Sequence, residues 1–188
     1  MEFEEFSHII ISVVAVSFAF AIARLGLHIT PQFAATFVSI LLTVGLGFVL
    51  HELAHKYVAQ RYGAMARYRA WALGLAAAIA MSFFGFVFAA PGAVYIYGGN
   101  LSKRKNGIVS LAGPLTNYAL AFLFLLLYFA VPSLRSFAFT GVFVNVFLAG
   151  FNLIPIFPLD GSKVFDWDKL VWGASIAPAI ILIALVGF

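Results

Sequence analysis

Long apolar runs, separated by short polar punctuation, dominate the chain. The first extends from about Ile9 to Leu27 and is interrupted only late, by Arg24. Thr30-Pro31 punctuates, and from Phe33 to Leu50 there is no charge at all. That pattern predicts a helix continuing to Arg61 and ending at Gly63 as its C-cap. Trp71 to Tyr97 comes next, then a long helix from about Ile108 to Val131 and a turn at Pro132-Ser133. Another helix starts near Phe137 and breaks up around Pro155 and Pro158, and a last apolar run covers Leu170 to Phe188. Runs of this length without charge are those of membrane-spanning helices. The expected fold class is an all-α polytopic membrane protein with five to six transmembrane helices.

The stretch 71–97 reads differently from its neighbours. Gly74 and Gly85 interrupt the apolar run, Pro91-Gly92 is a turn signal, and Ala93-Val94-Tyr95-Ile96-Tyr97 has the composition of a strand. A re-entrant helix/β element therefore fits better than a full span. It also keeps Lys56, Arg61, Arg67 and Arg69 on the same face as Lys103-Arg104-Lys105. Clusters of Lys and Arg beside helix ends mark the cytoplasmic side, which gives five true spans and a cytoplasmic N-terminus. The expected location is the cell membrane.

Composition agrees. Of 188 residues, 64% are hydrophobic and only 10% charged, which excludes a soluble globular enzyme. The net charge of +4 is dispersed through loops; it reports topology and contact with the lipid bilayer's anionic headgroups, with no nucleic acid implied. Cys is absent, which removes thiolate metal sites and Cys nucleophiles. The N-terminal Met1-Glu2-Phe3-Glu4-Glu5-Phe6 is acidic, so the first run is expected to stay as a helix and not be removed as a signal peptide. One transmembrane domain, 1–188, with a catalytic core of about 35–165, is expected.

Against this background His51-Glu52-Leu53-Ala54-His55 stands out, because it ends the charge-free run. Each such group costs about 2–3 kcal/mol or more near mid-bilayer unless something compensates. Residues four apart share a helix face, so His51 and His55 are placed to grip one metal ion while Glu52 reaches its water. Catalytic zinc usually takes three protein ligands and keeps one open position. His8 and His28 are third-ligand candidates by type alone. Asp160 is the better choice, because Pro155 and Pro158 prevent a regular helix and let the chain bend it back towards the pair. Asp166 and Asp168 read as an interfacial, solvated segment. Asn117, in Gly113-Pro114-Leu115-Thr116-Asn117, and Asn152 are candidates to support a substrate carbonyl or developing oxyanion, with Asn152 favoured.

HExxH, then Gly-Pro-x-x-Asn, then Asn152-Leu153-Ile154-Pro155-Ile156-Phe157-Pro158-Leu159-Asp160-Gly161, each on its own apolar segment, resembles the site-2 protease family of intramembrane zinc metalloproteases. The resemblance implies one catalytic zinc ion on His51, His55 and Asp160, with Glu52 as base. It implies peptide hydrolysis within single-pass transmembrane protein substrates, at a site towards the cytoplasm. Gly161-Ser162 stands where many members have Gly-Gly, and neither PDZ nor CBS modules are seen, as in a minimal form. An unwound substrate needs backbone partners, and Val94, Tyr95, Ile96 and Tyr97 are the candidate pairing strand. The rivals are a prenyl-protein endopeptidase, a zinc-binding membrane transporter and a non-proteolytic scaffold.

Overall fold

The computed structural model describes residues 2–87, 91–98 and 101–186. Residues 88–90 of the stretch read as re-entrant, and the last two residues of the run expected to reach Phe188, lie outside that range. Helix α1 (Phe3–Leu25) starts earlier than Ile9, with Glu4 and Glu5 in its first turn where the helix dipole favours acids. It stops at Gly26, whose φ of +70° suits glycine and whose N–H donates to Ile22 O at 2.7 Å. Thr30 caps α2 (Pro31–Ile40) by accepting from Phe33 N, with Pro31 in the first turn. A π-helical turn, Leu41–Gly45, then leads into α3 (Leu46–Arg61).

Strand β1 (Met65–Ala70) occupies a stretch that the sequence marked only by its basic cluster. Its signal is a period-two alternation, with Ala66 and Tyr68 buried and Arg67 and Arg69 turned outward or aside. After α4 (Ala72–Ser82) comes β2 (Gly92–Tyr97), paired with β1 in a two-stranded sheet. Eleven residues of α4 cover about 16 Å, half of a hydrocarbon core of about 30 Å. Helix α5 (Lys103–Ala130) begins at the second basic cluster, with Ser102 as its cap. Pro114 therefore lies inside α5 and not in its opening turn, freeing the carbonyl of Ser110. A 3₁₀ turn (Pro132–Leu134) leads to α6 (Arg135–Asn152), and α7 (Asp160–Trp167) and α8 (Lys169–Val186) follow.

Among the described residues, four helical stretches are long and apolar enough to cross a membrane: Phe3–Leu25, Pro31–Arg61, Lys103–Ala130 and Pro132–Asn152. Ala72–Ser82 and Lys169–Leu182 are shorter apolar helices. The fold is that of an all-α polytopic membrane protein with one small sheet.

The chain forms two compact units. In the first (Met1–Val49 and Arg67–Tyr95), α1 is the centre, packed against α2 and α4. Gly45 brings the π turn onto α1, where an added Cβ would meet Val13 Cγ1 at 2.9 Å. Tyr68 is fully buried; its N–H donates to Glu5 Oε1 (2.9 Å) and its hydroxyl to Ser12 Oγ (2.8 Å). Ser12 Oγ in turn donates to Pro91 O, so both ends of the 71–91 excursion are tied to α1 by hydrogen bonds.

In the second unit (Leu50–Ala66 and Ile96–Phe188), α5 packs on α6 and α7, and α6 on α8. Small residues set the approach. A Cβ at Gly107 would strike Trp167, one at Gly141 would strike Phe124, and one at Gly150 would meet Ala179 Cβ at 2.6 Å. That is how apolar helices associate when lipid offers no hydrophobic contrast. Polar ties add to it: Tyr118 Oη donates to Ser175 O and Trp172 Nε1 to Leu153 O, each at 2.8 Å.

Candidate metal centre

The HExxH residues lie on α3, in its part belonging to the second unit, and the 3.6-residue turn stacks His51 over His55. Their rings stand edge to face, with centroids 4.6 Å apart. Helix α6 ends at Asn152 and regular structure resumes only at Asp160, so the Pro155–Pro158 stretch interrupts the helical run. Asp160 opens α7, with Oδ2 3.2 Å from His51 Nε2 and 3.1 Å from His55 Nε2. All three side chains are buried. Among the described residues they form the one group of three whose ligand atoms lie within 4.8 Å of one another.

Each ring is held from behind. His55 Nδ1 lies 2.7 Å from Val109 O. A carbonyl can only accept, so this Nδ1 carries a proton and Nε2 presents its lone pair inward. His51 Nδ1 lies 2.6 Å from Asn117 Oδ1, which has the same consequence. Two lone pairs and a carboxylate therefore converge on one point. Three acceptors do not hold together without a cation between them, either a proton on a ring or a metal ion.

Gly113 decides how much room that point has. A Cβ there would sit 2.5 Å from both His51 Nε2 and His55 Nε2. Glycine thus leaves open a space beside both nitrogens that any side chain would fill. The separations of 3.1–3.2 Å also match the edge of a tetrahedron around zinc, about 3.3 Å for bonds of 2.0–2.1 Å. The residues fit a zinc ion. Lys163 Nζ stands 3.8 Å from Asp160 Oδ1.

With this geometry in place, the relatives carry weight. A protein of Methanocaldococcus jannaschii named "Putative zinc metalloprotease MJ0611" is 41% identical over 182 residues, covering 95% of this chain and 88% of that protein. The chain belongs to the family of these zinc metalloproteases. A second relative, "Putative zinc metalloprotease YwhC" of Bacillus subtilis, is 30% identical over 68% of this chain and 67% of its own length. A third, "Zinc metalloprotease MJ0392" of M. jannaschii, is 26% identical over 77% of this chain and 38% of its own. No family model and no solved structure matches.

The other expected site residues fall as follows. Glu52 is half-buried, one position beyond His51 on α3. Asn117 takes a different task from a carbonyl donor: its Oδ1 faces His51, and its Nδ2 donates to Asn145 Oδ1 at 3.0 Å. Asn152, half-buried, donates from Nδ2 to Leu148 O of its own helix. His8 and His28 belong to the first unit and are not part of the cluster. Asp166 is exposed, and Asp168 accepts from Leu170 N and Val171 N as the cap of α8. Val94 and Ile96 alternate with the exposed Tyr95 and Tyr97 along β2.

Val109, Gly113 in its metal-facing sense, and Asn145 were not found by reading motifs. A backbone carbonyl carries no side-chain signal. Asn145 offered only its polarity within an apolar helix.

Proposed function

We propose that the chain is an intramembrane zinc metalloprotease that cleaves peptide bonds within or near transmembrane segments of single-pass membrane proteins. The observation that carries it is the convergence of two imidazole lone pairs and a carboxylate on a space that Gly113 keeps open. His51, His55 and Asp160 hold the zinc, and Nε2 of each histidine and the carboxylate are the ligand atoms. Zinc, when bound, lowers the pKa of water towards 7 and polarises a carbonyl.

The protein's own groups do the rest. Glu52, next to a ligand on the same helix, accepts the proton of the attacking water and returns it to the leaving amine. Asn117 keeps His51 oriented, and Asn152 is assigned to the substrate carbonyl. Buried ligands exclude bulk water and keep the charges in a low-dielectric setting where they act strongly. A substrate helix must unwind before cleavage, and strand pairing along β2 at Val94–Tyr97 supplies partners for the freed backbone. The basic residues beside the α3 end and at the α5 start support an active site towards the cytoplasmic side of the cell membrane.

The test uses purified protein in liposomes with a labelled single-pass peptide, and zinc content is measured on every sample. Cleavage by wild type, lost with chelator and in Glu52→Gln while that variant keeps its zinc, is the expected result. Zinc-dependent metal flux that Glu52→Gln leaves unchanged, without cleavage, would replace the protease by a transporter.

A further inference from the structure

Two histidines of the cluster are oriented by partners of different kinds. His55 leans on a backbone carbonyl, Val109 O, which can only accept. His51 leans on the side-chain amide of Asn117, whose two ends are nearly the same size and opposite in hydrogen-bonding sense. Turned over, Asn117 would present its NH₂ to His51 Nδ1. The ring would then carry its proton on Nε2 and show N–H, not a lone pair, to the metal position. Something must set which way this amide faces.

Asn145 on α6 does so. It is fully buried, and its Nδ2 donates to Gly141 O at 2.9 Å, one turn earlier in the same helix. Because that carbonyl can only accept, the Asn145 amide has one permitted sense, and Oδ1 must face α5. There it accepts from Asn117 Nδ2 at 3.0 Å, which leaves Asn117 Oδ1 facing His51 Nδ1 at 2.6 Å. The sense of the chain is thus anchored at a main-chain carbonyl on α6 and delivered through two side chains to a ligand on α3. We infer that Asn145 is a positioning residue of the metal centre, fixing the Asn117 amide and through it the tautomer of His51 in which Nε2 is free to bind. This rests on the zinc reading above.

The experiment uses full-length protein in detergent and measures zinc affinity by competition with a chelator. The variants are Asn145→Leu, Asn145→Asp, Asn117→Asp and the double variant Asn117→Asp/Asn145→Leu. Loss of an outer partner of a ligand histidine typically weakens metal binding about 10–100-fold; Asn145→Leu keeps that partner but frees it to turn over, and a loss at the lower end, about 10-fold, is expected. A buried aspartate at 145 is neutral, donates to Gly141 O and accepts from Asn117, so Asn145→Asp restores affinity to within about threefold. An aspartate at 117, ionised because it accepts from the Nδ1–H of His51, offers oxygen whichever way it turns and has no sense to set. In that background Asn145→Leu should change affinity by less than about threefold, a coupling that the double-mutant comparison reads directly. Equal losses in both backgrounds would make Asn145 a packing residue and overturn the inference.

A second readout needs no variant to fold. With ¹⁵N-labelled histidine in zinc-free wild type, His51 is expected to carry a proton on Nδ1, alone or beside one on Nε2, and protonation on Nε2 alone would overturn the inference. Wild type that binds no zinc at all would instead overturn the metal reading.

Discussion

Replacing Gly113 by alanine sets two effects against each other, and their separation tests the metal centre. In a helix interior, Gly→Ala normally stabilises by about 0.8–1 kcal/mol through propensity alone. Gly113 lies in the interior of α5, but the Pro114 ring disfavours a Cβ on the helical residue before it and crowding two buried rings costs about 1–3 kcal/mol, so the folded protein should lose at most about 2 kcal/mol. The new methyl, however, would lie 2.5 Å from His51 Nε2, 2.5 Å from His55 Nε2 and 2.6 Å from His51 Cδ2. Non-bonded carbon and nitrogen need about 3.4–3.5 Å, so the rings must retreat by about 1 Å. Metal–ligand distances tolerate only about ±0.2 Å, so the retreat separates at least one ring from a shared ion. Zinc affinity should fall at least about 100-fold, or about 2.8 kcal/mol at 1.4 kcal/mol per decade. The assay pairs chelator competition with thermal unfolding of the zinc-free protein in the same detergent. Weakened zinc binding with an unfolding midpoint lowered only modestly is expected. Wild-type zinc affinity in a folded Gly113→Ala protein would refute the placement of the metal between the two nitrogens.

Gly161→Ala should act on the fold as well as the site. A Cβ there would meet Leu153 O at 2.1 Å, and that carbonyl is already fixed by Trp172 Nε1, so the start of α7 must shift. Destabilisation of about 2–3 kcal/mol is expected, seen as a lower unfolding midpoint, together with weaker zinc binding because Asp160 is its neighbour. Ile96→Pro removes one backbone donor from β2 and should impair cleavage of a transmembrane peptide while leaving zinc content unchanged. Full activity in that variant would end the strand-pairing proposal.

What could be read from the sequence and what could not follows from how each contact is encoded. The long apolar runs announced the helices because the bilayer demands length and absence of charge, and four of them have both. The β-branched and aromatic composition of Ala93–Tyr97 announced β2. Its partner β1 was obscured because Arg67 and Arg69 read first as a topology signal, although Ala66 and Tyr68 on the other face are buried. The π turn at Leu41–Gly45 left no mark in an uninterrupted apolar string. At the centre, His51 and His55 could be paired from spacing because a helix fixes their geometry locally. Asp160, 105 positions beyond His55, could be nominated only from the proline-broken segment before it, and that break is what turns it inward.

The outer layer of the centre follows from the medium. In lipid the helices gain little from burying apolar surface against one another, so they close on glycines and on hydrogen-bonded side chains. At the centre the same devices acquire a second use. Gly113 lets α5 come close to α3 and at the same time leaves the space that a metal ion requires. The Asn117–Asn145 bond ties α5 to α6 and also fixes the face that His51 turns inward. A chain so poor in polar residues has few with which to build a separate scaffold around its ligands. Asn117 and Asn145, both buried, are therefore best placed where one hydrogen bond serves helix association and ligand orientation together. It follows that substitutions there should disturb packing and metal affinity jointly, whereas Glu52, assigned to the water and not to the zinc, should separate chemistry from both.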